Sequence, residues 1–196
     1  YKPVEKESLE GSDEQDLILL GYLTFFDAPK KTAARAIHGL EKLHVGVRVL
    51  TGDQKDVALS ICRRLGLSTG EVLTGEELEG LDDDEAPVKI ERTTVFAELS
   101  PKQKAEILQT LQENGHTVGF LGDGMNDLPA MAQADVGISV DTAAEGVKEG
   151  ADVILLKKDL NVLEEGIKEG RKAFANVRKS PRPPISVIFF PLSSPV

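Results

Sequence analysis

Asp123 and Asp127, with Gly124, Met125 and Asn126 between them, put two carboxylates and an amide on one short stretch. Side chains of this kind are hard oxygen ligands, suited to Mg²⁺ beside a phosphate. They follow Thr117-Val118-Gly119-Phe120-Leu121, an apolar run with no charge that reads as a strand buried on both faces. In open α/β sheets the loop beyond a strand's carboxyl end is where ligands bind. Gly122 and Gly124 allow backbone angles that a residue with a Cβ resists. The same letters also suit a simple acidic turn with Asn126 or Asp127 capping a helix.

A cation belongs to the same chemistry. Ser100-Pro101-Lys102-Gln103 is a capping box with proline at the first helical position, so a helix starts there and continues to about Asn114-Gly115. That start fixes the phase of Lys104, which shares a stripe with Leu108 and Leu111 and points inward, while Lys102 points outward. Lys104 also stands in the first turn, where the helix dipole disfavours a cation. It is either a snorkelling lysine or an ammonium aimed at an anion near the sheet edge, and Asp53, Asp123 and Asp127 are its available partners from neighbouring loops. Thr51-Gly52-Asp53 ends a second strand-like run, Val45 to Leu50, and adds a hydroxyl, flexible backbone N–H groups and a third carboxylate. Together these residues could hold a phosphoryl group and its Mg²⁺, whose transfer depends on positioning and charge neutralisation.

The elements that must position these residues alternate in type. Leu17 to Phe26 reads as a buried strand ending at Asp27-Ala28-Pro29, and Ala33, Ala34, Ile37, Leu40 and Leu43 mark one face of a helix. Val57, Ile61 and Leu65 mark another helix, with Cys62 as a small core residue. Residues 68–92 read as less regular, with Asp82-Asp83-Asp84 a solvated loop. Thr93 to Ala97 is a short strand, and Leu128 to Gln133 is a short helix. Ala134-Asp135-Val136 opens a strand, and Ala151-Asp152-Val153 opens a similar one, which makes a βαβ crossover. A last helix, about 160–179, ends in basic residues. Strand, acidic loop and helix in repetition predict an α/β fold with a mainly parallel sheet.

Composition narrows the function. The chain has 196 residues and a net charge of −10, which argues against nucleic acid as a partner. One cysteine excludes an internal disulfide framework and a Cys-based zinc site, and His38, His44 and His116 have no metal-ligand spacing. No stretch approaches the roughly 20 apolar residues of a membrane span.

Thr51-Gly52-Asp53, the Pro101-x-x-Lys104 spacing and Gly122-Asp123-Gly124-Met125-Asn126-Asp127-Leu128-Pro129-Ala130 resemble the phosphorylation domain of P-type cation-transporting ATPases, of the haloacid dehalogenase superfamily. Asp27-Ala28-Pro29-Lys30 is similar to that family's Asp-Pro-Pro-Arg/Lys element, with Ala28 in place of proline. Gly137-Ile138-Ser139-Val140-Asp141 is most similar to the magnesium-transporting branch. The resemblance covers roughly residues 17–179. It implies a Rossmann-like, three-layer haloacid dehalogenase-like fold, ATP as phosphoryl donor and Mg²⁺ as cofactor. It also implies transport of a cation, Mg²⁺, by a pump whose catalytic part faces the cytoplasm. On this resemblance Asp123 coordinates Mg²⁺, and Asp127 holds the loop and the metal's water shell. Thr51, Gly52 and Asn126 bind phosphoryl oxygens, Lys104 neutralises the phosphoryl charge, and Asp53 supports the loop and the nucleotide.

The resemblance also implies parts that this sequence lacks. The family's Asp-Lys-Thr-Gly-Thr stretch, which carries the phosphorylated aspartate, does not occur here. The expectation is therefore the second half of a phosphorylation domain, without its central nucleophile strand and inactive alone. Its partners would be the pump's N-terminal, nucleotide-binding and transmembrane parts. Residues 1–16 are expected as a linker, 17–159 as the core, 160–180 as a basic stalk-like helix and 181–196 as a proline-rich apolar tail. The chain by itself is expected to be soluble. Two other functions fit the residues: a free-standing phosphatase using Asp27, and a non-catalytic Mg²⁺- or phosphate-binding module. Lys31 stands where a superfamily nucleophile is followed by Thr or Val, which favours Asp27 as a helix-capping hinge.

Overall fold

The computed structural model describes residues 18, 20–21, 31–157 and 159–179. Strands β1 (Val49–Leu50), β2 (Val72–Thr74) and β3 (Val95–Ala97) form one parallel sheet in the order β1-β3-β2. Strands β4 (Gly119–Leu121), β5 (Val136–Val140) and β6 (Val153–Leu155) form a second, also parallel, in the order β4-β5-β6. The helices are α1 (Lys31–Lys42), α2 (Lys55–Leu65), α3 (Gly75–Glu79), α4 (Ala86–Arg92), α5 (Pro101–Glu113), α6 (Leu128–Gln133), α7 (Glu145–Glu149) and α8 (Leu160–Lys179). Parallel strands need crossovers, and the helices between the strands provide them.

The alternation predicts one parallel sheet, but the strands divide into two. Among the described residues β1 pairs only with β3 and β4 only with β5, so each sheet has an open edge. Helix α5 joins the two. Its Leu108 packs with Phe120, Met131, Ile138 and Leu155 of the second sheet's core, and its Ile107 and Leu111 pack with Leu73, Ile90 and Phe96 of the first. Leu50 of β1 and Val118, just before β4, lie against both cores. The two central strands are the best covered. Val95, Phe96 and Ala97 of β3 are fully buried, and so is Ser139 of β5.

Local chemistry sets the element ends. Ser100 and Gln103 form the predicted capping box at α5, with the Gln103 N–H donating to Ser100 Oγ and the Ser100 N–H donating to Gln103 Oε1. Thr74 and Glu77 form a second such box at α3. Gly66 closes α2 at φ +74°, a left-handed angle that a Cβ disfavours. Asp135 and Asp152, the matching residues of the two Ala-Asp-Val stretches, do the same job. The Val118 N–H donates to Asp135 Oδ2 at 2.7 Å, and the Gly137 N–H donates to Asp152 Oδ2 at 2.7 Å. Each carboxylate hooks the strand that precedes its own.

Several expectations need correction. Residues 68–92 hold a strand and two short helices; with three residues β2 is too short to show an alternating pattern. The strand expected over 45–50 is regular only at Val49–Leu50. β4 is not buried on both faces. Phe120 packs against the helices, whereas Leu121 on the other face is 38% exposed. Of the run 17–26, only Ile18, Leu20 and Gly21 are described. They form no strand there, and Ile18 and Leu20 are exposed. Asp27, the linker 1–16 and the tail 181–196 lie outside the described residues. Among the described residues no helix is long and apolar enough to cross a membrane.

Candidate metal and phosphoryl site

The residues singled out in the sequence lie on two loops and one helix start. Thr51-Gly52-Asp53 follows β1, and Gly122 to Asp127 follows β4. The first loop is stitched to the start of α5. The Thr51 N–H donates to Phe96 C=O, the Leu99 N–H to Thr51 C=O and the Glu98 N–H to Asp53 C=O. Within the loop the Asp53 N–H donates to Thr51 Oγ1 at 3.1 Å. One residue beyond Leu99 the capping box begins, so Thr51 is held directly against the residues that fix the phase of Lys104.

Lys104 closes the link to the second loop. Its Nζ donates to Asp127 Oδ1 at 2.7 Å, and the two side chains are 12% and 16% exposed. Lys102 is 86% exposed and pairs with Glu106 on its own helix. The sequence left Asp53, Asp123 and Asp127 open as partners of Lys104, and the structure selects Asp127. Asp127 also turns back on its own loop, where its N–H donates to Gly124 C=O at 2.9 Å and its Oδ2 accepts from the Gly124 N–H at 3.4 Å. Met125–Asp127 is a single 3-10 turn leading straight into α6.

Gly122 is the pivot of this loop. A Cβ there would stand 2.7 Å from Asp127 Cβ and 3.0 Å from Asp127 Oδ2, so the close approach requires glycine. Its N–H donates to Ile138 C=O at 3.0 Å, and its C=O accepts from Ser139 Oγ at 3.1 Å. Asp123, Met125 and Asn126 are exposed beyond it, as are Gly52 and Asp53 on the first loop. Helix α5 and the Lys104–Asp127 pair connect the two loops.

Charge is arranged around the first loop as well. Lys55, the first residue of α2, donates its N–H to Glu98 Oε1 and pairs its Nζ with Glu77 at 3.2 Å. The Thr74 backbone N–H, and then Lys55, hold the Glu77 carboxyl below its usual range. Glu98 has a positive φ of 56°, a strained angle for a residue with a side chain. Neither Glu98 nor Ser139 was singled out from sequence. Glu98 left no signal there, since a positive φ is not written in residue type. Ser139 left a faint one, as the lone hydroxyl in an apolar strand. A shallow cavity of about 250 Å³ lies elsewhere, beside Val47, Arg48, Thr93 and Thr94 ahead of β1 and β3.

The donor chemistry suits Mg²⁺. Among the described residues no group of three carboxylate, imidazole or thiol side chains makes a protein cage for a metal. Mg²⁺ usually takes only one or two carboxylates and completes its octahedron with water and phosphate oxygens. Asp123 and Asp127 are hard oxygen donors of that number.

Comparison with known proteins agrees with the topology. Residues 2–135 match the family model described as haloacid dehalogenase-like hydrolase. The chain is 52% identical over 172 residues to "Magnesium-transporting ATPase, P-type 1" of Salmonella typhimurium, a match that covers 88% of this chain and 19% of that protein. It is 49% identical over 179 residues to the protein of the same name in Escherichia coli, covering 91% of this chain and 20% of that one. "Probable cation-transporting ATPase F" of Mycobacterium tuberculosis is 36% identical over 170 residues, covering 83% of this chain and 19% of that protein. The chain thus spans about one fifth of the length of these relatives. With parallel sheets, crossover helices and acidic loops at the strands' carboxyl ends, the chain belongs to the haloacid dehalogenase-like hydrolase family.

Proposed function

We propose that this chain is the second half of the phosphorylation domain of a P-type ATPase that moves Mg²⁺ across a membrane at the expense of ATP. The observation that carries this reading is the Lys104–Asp127 bond, which joins the start of α5 to the loop Gly122–Asp127. An ammonium and a carboxylate held this way are preorganised for a group that carries charge of both signs, a metal and a phosphoryl. Asp123 and Asp127 would hold Mg²⁺, which when bound supplies charge neutralisation to the phosphoryl group. Lys104 would sit against the phosphoryl oxygens while anchored by Asp127. The Thr51 hydroxyl, the Gly52 N–H and the Asn126 amide would donate to those oxygens. Asp53 would keep the first loop closed and face the nucleotide.

The phosphorylated aspartate would come from the rest of the pump, together with its nucleotide-binding and transmembrane parts. The open edges of β1 and β4 support that reading, because unpaired strand edges are places where a further strand adds. In this scheme residues 17–159 are the core on the cytoplasmic face, 160–180 a basic stalk and 1–16 and 181–196 flanking segments.

A chimera tests the proposal. Residues 17–179 replace the matched portion of the Salmonella typhimurium relative, and Mg²⁺ uptake is measured in cells that lack their own Mg²⁺ transporters. Uptake and an ATP-derived phosphoenzyme are expected. A stably expressed, membrane-inserted chimera that forms no phosphoenzyme would count against the proposal, and one that forms it without moving Mg²⁺ would count against the ion.

A further inference from the structure

We propose that Ser139 is a positioning residue for the loop Asp123–Asp127, acting through the carbonyl of Gly122. It rests on the reading of Asp123 and Asp127 as Mg²⁺ ligands, and it adds a residue from a different strand to that site.

Ser139 is fully buried in the middle of β5, between Ile138 and Val140, which are also buried. A hydroxyl placed there costs free energy unless it is hydrogen-bonded. Its partner is Gly122 C=O, at 3.1 Å. The position of that carbonyl explains why the bond matters. The β4–β5 ladder ends with the Gly122 N–H donating to Ile138 C=O at 3.0 Å. Among the described residues no backbone N–H donates to Gly122 C=O, although it stands where the ladder would continue. The Ser139 hydroxyl supplies that rung. The chain can therefore leave the sheet at Gly122 while both of its peptide groups stay tied to β5.

Gly122 then transmits the constraint. Its Cα packs so closely on Asp127 that a Cβ would lie 2.7 Å from Asp127 Cβ. Asp127 in turn carries Lys104. Ser139, Gly122, Asp127 and Lys104 thus form one connected run from the core of β5 to the start of α5. Asp123, the next residue along the chain, leaves directly from the peptide that Ser139 holds. A hydroxyl at this position fixes where both carboxylates point, without touching the metal or the phosphoryl group.

The test uses the full 196-residue chain. Amide hydrogen exchange is measured without metal, followed by a Mg²⁺ titration monitored at the amides of 122–127. In Ser139→Ala, exchange at the Gly122 and Asp127 amides should quicken about 10-fold, the scale for losing one buried hydrogen bond. Amides in the middle of β5 should stay protected, and the Mg²⁺ concentration needed for half the shift should rise about 5-fold or more. Ser139→Thr and Ser139→Val have nearly the same shape and differ by the hydroxyl, so Thr should hold the Gly122 and Asp127 amides better than Val does. Equal behaviour of Thr and Val, or an even acceleration across the whole second sheet in Ser139→Ala, would overturn the proposal and leave Ser139 as core filling. If the unaltered chain gives no Mg²⁺ response at 122–127, the metal reading fails, and the metal-free exchange still decides whether Ser139 holds the loop.

Discussion

Lys104 Nζ lies 2.7 Å from Asp127 Oδ1, and neither side chain is more than one-sixth exposed. Removing one partner of a shielded pair leaves the other charge poorly solvated, which is more damaging than losing an exposed pair. Lys104→Met in this chain should lower stability by about 2 kcal/mol, below the fully buried range because water still reaches the pair. In the chimera it should lower phosphoenzyme formation by about 100-fold, the scale for one preorganised charge. Lys102→Met should leave both unchanged. Thermal unfolding and acid-quenched phosphorylation read the two effects, and equal behaviour of the two lysine variants would contradict the assignment.

Gly122→Ala should damage the same connection from the other side. The added Cβ meets Asp127 Cβ at 2.7 Å, so Asp127 must shift away and loosen its hold on Lys104. A steric misfit of this size costs about 1–3 kcal/mol. Gly70→Ala, at a glycine with nothing within 4 Å of its Cβ position, is the matched control and should be close to neutral. Comparing their denaturation midpoints checks this.

How much of this site could be read in the residues differs from one part to the next. Lys104 was legible because a capping box fixes helical phase, and phase alone separates it from Lys102. The carboxylates at Asp123 and Asp127 were legible because they follow an apolar run that stops at a glycine. The choice of Asp127 over Asp53 and Asp123 as the lysine's partner was not legible, since it depends on the tertiary placement of three loops. β2 escaped notice because three residues carry too little alternation, although Thr74 to Glu77 holds a capping box as clear as the one at Ser100. The division into two sheets was hidden from local patterns, although the central strand that the resemblance implies and the sequence lacks already meant unpaired edges on the strands that would flank it. Local patterns report strands, whereas the number of sheets depends on which strands pair, and no strand pairs with the open edges of β1 and β4 among the described residues.

Without the Asp-Lys-Thr-Gly-Thr stretch, this chain alone should form no acid-stable phosphoenzyme from ATP. Incubation with γ-labelled ATP and Mg²⁺, acid quench and counting of retained label tests this. Label that survives the quench and is lost in Asp27→Asn would favour the free-standing phosphatase instead.

Asp135 should make the second sheet sensitive to acid. The Val118 backbone N–H, and then the Gln112 side chain, hold its carboxyl below the usual carboxylate range. A carboxyl whose folded pKa is depressed contributes stability above its unfolded value, about 3.9, and that contribution fades as pH falls through the lower folded value. Asp135→Asn should therefore be less stable than the unaltered chain at neutral pH, with the difference shrinking below about pH 4. Urea midpoints measured from pH 7 down to pH 3 would reveal that convergence.

The paired hooks of Asp135 and Asp152 also bear on the order in which the protein acquires its shape. Each hook closes over a short reach of chain, 17 residues for Asp135 to Val118 and 15 for Asp152 to Gly137. The first sheet closes over longer stretches, 23 residues between Val72 and Val95 where β2 meets β3 and 46 between Val49 and Val95 where β1 meets β3. Closing a long loop loses more chain entropy before any contact rewards it, so local pairings come early and distant ones late. The β4-β5-β6 half, with the carboxylate loop attached to its first strand, is thus built to form ahead of the β1-β3-β2 half. The carboxylates would already be in place when the threonine loop arrives, and pulse-labelled exchange during refolding should find the amides of Phe120 and Ile138 protected before those of Val95 and Phe96.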